Sequence, residues 1–248
     1  RVVIILPDDS VNNVITSAEA SPTTFAMQAS DLTASDILTL QYYSYSSAST
    51  TTTIVPLSYR LLTRYQTQND CYKANQSIGV KKGIVVHSTG VNNPTLKRYV
   101  DYPEELGINT NNNHWNQSGI DKMVHAFIGL DKNNYIAIVN TLPYSLACWG
   151  VGSGPNGSYN YSPNGHIQFE ICEDALTDQT YFNNAVFGAA VEYCAYLCRR
   201  FGLSVSSIVS HKEAYQQGYG SNHGDPENWL ARHNKTMNNF RSAVNAIL

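Results

Sequence analysis

The stretch Gly83-Ile84-Val85-Val86-His87-Ser88-Thr89-Gly90 sets the fold class of this 248-residue chain. A short apolar and β-branched run is typical of a buried strand, and this one ends in a histidine before a polar loop. Farther along, Ile208-Val209 is a second apolar run that leads into His211. Both histidines are therefore predicted to lie at strand edges, where side chains from distant parts of the sequence can meet.

The residues between these two runs predict a mixed sheet with helices on its faces. Residues 124–130 and 135–140 flank a turn cluster and predict a β-hairpin, and residues 167–172 predict a further strand. Residues 181–201 carry an apolar stripe at helical spacing that ends at Gly202, which predicts the longest helix, and residues 236–248 predict a closing helix. The predicted fold class is α/β, with a mixed central β-sheet flanked by helices.

Residues 1–56 differ in composition from the rest of the chain. They are rich in Ser and Thr and almost free of basic residues, and the run at 44–53 is a low-complexity polar segment. Residues 23–29 and 36–43 carry β-favouring side chains. We predict a small β-rich segment and a Ser/Thr-rich linker over 1–56, of unknown role, and a catalytic domain over 57–248. An extended arm lying on that domain is an equally good interpretation of 1–56.

Composition excludes some classes of function. The net charge of −3 gives no indication of a nucleic-acid surface, and no apolar run reaches the roughly 18 residues of a membrane span. The five cysteines show no disulfide framework, which predicts free thiols in a protein made in a reducing cytoplasm. The chain begins with Arg1 rather than Met, so we expect a fragment or processed product, and the sequence shows no export route.

Three residues carry the chemistry that the sequence predicts. His87, His211 and Asp225, which precedes Pro226, supply two imidazoles and a carboxylate. Hydrolases typically hold Zn²⁺ with three nitrogen or oxygen ligands and leave a fourth position for water. Since the three residues are far apart in the sequence, only folding can bring them together.

The chain from about residue 59 onward resembles the zinc-dependent N-acetylmuramoyl-L-alanine amidases of bacteria and phages, relatives of the peptidoglycan recognition proteins. It is most similar to the branch found in phages and prophages of Gram-positive anaerobes, and residues 1–56 show no likeness. The resemblance rests on segments that occur in order and in one register: NDCYK at 69–73, GIVVHSTG at 83–90, NHWN at 113–116, VHAF at 124–127, IQFEICED at 167–174 and the run 211–226.

The resemblance implies roles for residues around the metal. His87, His211 and Asp225 match the zinc ligands, and Glu170 matches the catalytic base of many relatives. An alternative role for Glu170 is to orient a ligand histidine. His223 occupies the position where many relatives have a lysine that stabilises the oxyanion. An imidazolium can do the same only while protonated, and His223 as a ligand in place of Asp225 is the alternative.

Other residues match the family less closely. His125 lies near the position of a catalytic tyrosine in some relatives, and a role in catalysis or substrate binding is weighed equally against a place in the core. His114 and Trp115 lie in an Asn-rich loop and predict a groove wall. Trp149 and the Gly-rich loop 150–154 predict a flexible rim whose ring stacks on sugar or peptide.

The function implied by the resemblance is hydrolysis of the amide between N-acetylmuramic acid and L-alanine in bacterial peptidoglycan. This activity would serve cell-wall lysis, as a phage endolysin or tail-associated lysin made in the bacterial cytoplasm. The residues themselves support zinc-dependent amide hydrolysis. A non-catalytic peptidoglycan-binding protein of the same fold is one alternative, although such proteins typically lack a metal ligand. An amidase that recycles wall fragments is another, which the extra segment 1–56 disfavours.

Overall fold

The computed structural model describes residues 2–5, 14–17, 41–44, 53–56, 59–175 and 179–248. In the N-terminal part, two pairs of antiparallel strands are described: β1 (Val2–Ile5) with β2 (Val14–Ser17), and β3 (Gln41–Ser44) with β4 (Thr53–Pro56). The β-favouring residues at 23–29 and most of the Ser/Thr run lie outside the described residues. The strand expected at 36–43 is described only from residue 41, within β3. The domain boundary at residue 57 stays a prediction.

A six-stranded mixed sheet forms the centre of the part that follows. Its strands are β5 (Arg60–Thr63), β6 (Gly83–Asn92), β7 (Ala126–Leu130), β8 (Ile136–Asn140), β9 (His166–Glu173) and β10 (Ile208–Ser210). Their order across the sheet is β10-β6-β9-β7-β8-β5. The first four are mutually parallel, and β8 runs antiparallel to β7 and parallel to β5. The predicted mixed sheet is confirmed.

Helices cover the connections between the strands. They are α1 (Asp70–Ala74), α2 (Pro103–Leu106), α3 (Gln179–Tyr181), α4 (Phe187–Phe201), α5 (His211–Gln216), α6 (Glu227–Arg232) and α7 (Met237–Ala246). A π-helical turn, Phe182–Val186, joins α3 to α4, and α4 ends at Gly202 in the left-handed conformation. The long helix and its end are therefore confirmed. No helix in the described ranges has the length and hydropathy of a membrane span.

The β7–β8 hairpin shows how local sequence sets local structure. Asp131 Oδ1 accepts hydrogen bonds from the backbone N–H groups of Asn133 (2.8 Å) and Tyr135 (3.0 Å). Asn134 takes a left-handed conformation with φ of 62°, which Asn tolerates better than most residues. Asp131 Oδ2 also accepts from Arg60 Nη1 at 3.0 Å, so the same turn anchors the edge strand β5.

The two faces of the sheet differ in chemistry. On the face covered by α4 and α7, apolar side chains such as Val86 and Phe169 are fully buried, and Phe169 contacts Tyr193 of α4 edge-on at 5.4 Å. Because side chains alternate along a strand, His87 and Glu170 point to the opposite face, where a cleft opens. We call these the helix face and the cleft face. The cysteines are buried free thiols.

Candidate metal centre and active site

Two neighbouring strands bring the ligand candidates together. His87 lies within β6, and His211 is the first residue of α5, immediately after β10. Since β10 pairs in parallel with β6, with Ser210 opposite Val86, the two histidines lie side by side. Their ring centroids are 4.8 Å apart at an interplanar angle of 80°. The ligand atoms of His87, His211 and Asp225 all lie within 4.8 Å of one another.

Hydrogen bonds and an ion pair hold the first turn of α5, the helix that begins at His211. Ser210 caps α5 by accepting from Glu213 N, and the Glu213 carboxylate accepts from Ser210 N. This capping box satisfies donors that would otherwise have no partner at the start of a helix. Glu213 in turn pairs with Arg241 of α7, at 2.8 and 3.0 Å. The position of His211 is therefore fixed by contacts on both sides.

The Asp225 carboxylate contacts both histidines. Its Oδ2 lies 3.2 Å from His87 Nδ1 and its Oδ1 lies 3.3 Å from His211 Nδ1. Burial alone would raise the pKa of Asp225, but hydrogen bonds from His211 and His87 hold that pKa well below its usual range. Burial lowers the pKa of His211, which favours its neutral form. Two imidazoles and an ionised carboxylate fit the nitrogen and oxygen ligands that Zn²⁺ takes.

A hydrogen-bond chain fixes which nitrogen of His87 faces Asp225. Val151 N–H donates to Asn160 Oδ1 at 3.1 Å, and Gln168 Nε2 donates to the same oxygen at 2.9 Å. Gln168 Oε1 is therefore left to face His87 Nε2, 3.0 Å away. Because this oxygen can only accept, His87 carries its proton on Nε2. Its Nδ1 then faces Asp225 and the metal position.

A second chain does the same for His211. Ser221 Oγ donates to the Val151 carbonyl oxygen at 3.1 Å, and His211 Nε2 lies 3.2 Å from Ser221 Oγ. Because the Ser221 hydroxyl donates its proton to Val151, it accepts the hydrogen bond from His211 Nε2–H. The other ring nitrogen, Nδ1, then faces the metal position. Neither Gln168 nor Ser221 was among the predicted site residues. The alternation along β9, which places Gln168 on the same face as Glu170, is the signal that could have found the first.

Glu170 lies beside the candidate metal centre. It is the register partner of His87 across the β6–β9 pair, and it lines the cleft. Its Oε2 is shielded from solvent and has no hydrogen-bond partner in the described part of the chain. Burial raises the pKa of Glu170 well above its usual range, and the charges of Asp225 and Glu173 raise that pKa further, against Lys122. A carboxyl group with a raised pKa is suited to accept a proton near neutrality.

His223 lies at the cleft surface, with 58% of its side chain exposed. Its ring stacks on His211 with centroids 4.4 Å apart, and its Nδ1 lies 3.7 Å from Asp225 Oδ1. Burial and the neighbouring His211 lower the pKa of His223, although Asp225 acts in the opposite direction. The surroundings therefore favour a neutral ring over the expected imidazolium. The compact ligand group consists of His87, His211 and Asp225 and does not include His223.

The structure contradicts a catalytic role for His125. Its side chain is fully buried and does not line the cleft. Its Nδ1 accepts from Gln168 N–H at 3.0 Å, so its Nε2 carries the proton and donates to the Leu146 carbonyl oxygen at 3.0 Å. The ring also stacks on Tyr144. Both nitrogens are used inside the core, which is where the alternative interpretation places His125.

Of the three predicted substrate-binding residues, only Trp115 lines the cleft, which has a volume of about 700 Å³. Its ring packs edge-on against Phe127 with centroids 4.9 Å apart, and Lys122 Nζ lies 5.1 Å from its centroid. His114 lines a separate cavity of about 140 Å³ instead. Trp149 packs against a small apolar cluster that includes Cys148, and its neighbour Gly150 lines the cleft in its place.

The cleft has the character of a site for a polar ligand. The candidate ligands and Glu170 line the cleft. Charged and amide side chains line it as well, namely Lys122, Glu173, Asn228 and Arg232. Trp229 of α6 is almost fully buried, and its ring packs edge-on against Phe182 with centroids 5.0 Å apart. An open cleft with mixed charges and one partly exposed aromatic ring suits a peptide or saccharide chain.

Comparisons with known proteins show the family to which this chain belongs. A family model described as N-acetylmuramoyl-L-alanine amidase matches residues 76–228. A bifunctional autolysin of Staphylococcus aureus is 25% identical over 182 residues, a match that covers 70% of this chain but only 12% of the autolysin.

Two solved structures share the fold. The S. aureus hydrolase AmiA, in complex with its ligand, is 23% identical with a TM-score of 0.53, over 75% of this chain and 81% of AmiA. PlyL is 16% identical with a TM-score of 0.52, over 75% of this chain and 96% of PlyL. Because the family model spans more than half of the chain, this protein belongs to the N-acetylmuramoyl-L-alanine amidase family.

Proposed function

We propose that residues 57–248 form a zinc-dependent amidase that hydrolyses the amide between N-acetylmuramic acid and L-alanine in bacterial peptidoglycan. The observation that carries this proposal is the convergence of two imidazole nitrogens and an ionised carboxylate next to Glu170 in an open polar cleft. Family membership supplies the bond and the substrate. A complete ligand set disfavours a protein that only binds peptidoglycan.

In this proposal, His87 Nδ1, His211 Nδ1 and an Asp225 carboxylate oxygen hold the metal. Zn²⁺ in such a site polarises an amide carbonyl and lowers the pKa of water towards about 7. The two hydrogen-bond chains from Val151 keep both Nδ1 atoms directed at the metal position. The protein therefore presents its ligands already oriented.

Glu170 moves the proton in the proposed reaction. Its Oε2 takes a proton from the attacking water as the new carbon–oxygen bond forms. It then delivers that proton to the alanine nitrogen as the carbon–nitrogen bond breaks, so the products are a free lactyl carboxylate and a peptide with an amino terminus. His223, at the cleft surface, donates a ring N–H to the carbonyl oxygen as negative charge develops there.

Digestion of purified peptidoglycan followed by mass spectrometry tests this function. The expected products are glycan strands without peptides and free peptides that begin with alanine. A parallel digestion with the Glu170→Gln variant controls for contaminating hydrolases. Release of reducing sugars, or of peptides cut between two amino acids, would assign a different bond and overturn the proposal.

The proposed setting is lysis of the bacterial cell wall, as a phage endolysin or tail-associated lysin made in the bacterial cytoplasm. The name of the autolysin relative supports wall lysis, and the sequence resemblance supports the phage setting. This assignment concerns where the enzyme acts and is separate from its chemistry.

Residues 1–56 are proposed to be dispensable for catalysis. The edge strand β5 is anchored by Arg60, which pairs with Asp131 and Glu105, so the catalytic unit must include residue 60. A truncated chain that begins at Leu57 is expected to fold and to cleave a soluble muropeptide within about threefold of the full-length rate, since it keeps every part of the catalytic machinery. Circular dichroism and a turnover assay measure this. A truncated chain that does not fold would show that the N-terminal segment completes the core.

A further inference from the structure

The segment Gly150-Val151-Gly152 is linked to both candidate ligand histidines. The Val151 backbone hydrogen-bonds with His211 itself and is connected to His87 through Asn160 and Gln168. Val151 is fully buried, and its two backbone groups serve different partners. Its N–H donates to Asn160 Oδ1 at 3.1 Å, and its carbonyl oxygen accepts from Ser221 Oγ at 3.1 Å. Each contact begins one of the hydrogen-bond chains described above. One residue is therefore the common origin of both chains.

The two chains have similar construction. In the first arm, Asn160 orients Gln168, whose Oε1 accepts from His87 Nε2 at 3.0 Å. In the second arm, Ser221 accepts from His211 Nε2 at 3.2 Å, and Ser221 N–H also donates to the Val151 carbonyl at 2.8 Å. Asn160 and Gln168 are almost fully buried, so water does not compete for these bonds.

The flanking glycines are matched to the two arms. A Cβ atom on Gly150 would lie 2.4 Å from Gln168 Oε1, the atom that accepts from His87. A Cβ atom on Gly152 would lie 2.7 Å from Ser221 Oγ, and the φ of +70° at Gly152 also favours glycine. Gly150 and Gly152, in the loop predicted as a flexible rim, are thus closely packed against Gln168 and Ser221. Each glycine makes room for the residue that holds one ligand.

We propose that Gly150-Val151-Gly152 is a positioning element that sets the tautomer and direction of both ligand imidazoles, and that Asn160, Gln168 and Ser221 are its positioning residues. The proposal rests on the metal site of the proposed function. A ligand histidine whose other nitrogen is held by a hydrogen bond is fixed in orientation and tautomer. Because both arms start at Val151, the two imidazoles are held in a fixed position relative to each other.

Zinc affinity of the full-length protein, measured by competition with a chromophoric chelator, tests the proposal. Gln168→Leu removes the first arm and Ser221→Ala removes the second, and each is expected to weaken zinc binding 10- to 100-fold, as loss of such a partner typically does. Gln168→Glu keeps an acceptor for His87 Nε2 but loses the donor to Asn160, so its loss of affinity is expected to be smaller than that of Gln168→Leu. Unchanged affinity in both Gln168→Leu and Ser221→Ala would overturn the proposal.

Double variants test the arrangement of the arms. Asn160 acts through Gln168, so Asn160→Ala is expected to add nothing to the loss caused by Gln168→Leu. Ser221→Ala belongs to the other arm, so its loss is expected to multiply that of Gln168→Leu. If the two losses of zinc affinity multiply in the Asn160→Ala, Gln168→Leu double variant, the two residues act independently. That result would overturn the proposal that Asn160 acts through Gln168.

NMR of the histidine ring nitrogens in the zinc-bound protein supplies a readout that a general structural effect would not move. With the metal on Nδ1, both rings are expected to carry a hydrogen-bonded proton on Nε2 in the wild type. Gln168→Leu should change the Nε2–H signal of His87 alone, and Ser221→Ala that of His211 alone. Should Gln168→Leu fail to fold, Ser221→Ala decides, since it removes one hydroxyl from a half-buried residue. Failure of the wild type to bind zinc would instead refute the proposed function.

Discussion

The two faces of β6 and β9 are built from alternate residues of the same strands, yet they obey different rules. On the helix face, Val86 and Phe169 are fully buried among apolar side chains. On the cleft face, His87 and Gln168 are buried almost as deeply but are polar. Their side-chain nitrogen and oxygen atoms form hydrogen bonds with specific partners. Burial stabilises the first face directly. On the second face, burial is tolerated only because the hydrogen bonds are complete.

The comparison also identifies the exception on the cleft face. Glu170 Oε2 is buried and lacks a partner among the residues that the structure describes, which typically costs about 1–3 kcal/mol. A polar group kept in such a state is a candidate for function rather than for stability. The helix face should therefore govern the free energy of unfolding, and the cleft face should govern metal binding and turnover.

The largest expected effect is loss of the metal. His87→Ala or His211→Ala removes one of three ligands, so stoichiometric zinc should be lost and turnover should fall by about 10³-fold or more, because the metal contributes several kcal/mol to the barrier. Elemental analysis and a muropeptide assay measure both. His114→Ala, which lies outside the cleft, is the matched control and should keep zinc. Full zinc content in either ligand variant would refute the ligand assignment.

The opposite behaviour is expected on the helix face. Phe169→Ala removes a fully buried ring that contacts Tyr193, and we expect it to lower the free energy of unfolding by about 3–5 kcal/mol. Zinc affinity of the folded molecules should stay near the wild-type value. Denaturant unfolding and chelator competition measure the two quantities. If zinc affinity falls as steeply as the free energy of unfolding, the helix face does not act on stability alone.

Glu170→Gln should separate turnover from stability. The amide is nearly isosteric with the carboxyl group but cannot act as a base, so we expect a rate loss on the order of 10²-fold or more with zinc retained. Stability should be unchanged or higher, because an unpartnered carboxyl group has been replaced. Near-normal turnover would move the base role to another residue.

The smallest expected effect is a pH dependence of stability on the cleft face. His166 shares this face at the start of β9, and burial lowers its pKa from 6.5 to about 4. The unfolded chain therefore binds the proton more readily, and stability that is complete above pH 6.5 is lost as the pH falls towards 4. Between pH 7.5 and 5.5 the loss from this group should be about 1 kcal/mol.

Denaturant unfolding at the two pH values, compared between the wild type and His166→Gln, isolates this contribution from other titrating groups. The variant should show a correspondingly smaller difference between the two pH values. An equal difference in both proteins would mean that protonation of His166 is not linked to unfolding.

The helix-face architecture could be predicted from the sequence because its signals are local. The β-branched run of β6, the turn at Asp131 and the end of α4 at Gly202 are each visible within a few residues. Side-chain periodicity then gives the buried face. The mixed sheet and the principal helix were predicted in this way.

The cleft face could be predicted only in part. The resemblance gave the grouping of His87, His211 and Asp225, which the structure places together. The hydrogen-bond chains could not be predicted, because they join residues as far apart as Gln168 and His87, 81 positions away, and depend on strand register. His125 shows the same limit, since its sequence position does not tell whether its two nitrogens face a cleft or a carbonyl.

The capping of α5 links the metal centre to the end of the folded domain. His211 starts a helix whose cap is closed by Glu213, and Glu213 pairs with Arg241, 28 residues later in α7. The helix that carries one ligand thus receives part of its support from α7. During synthesis on the ribosome, this support is missing until residue 241 has been made, although all three ligand residues have been made by residue 225.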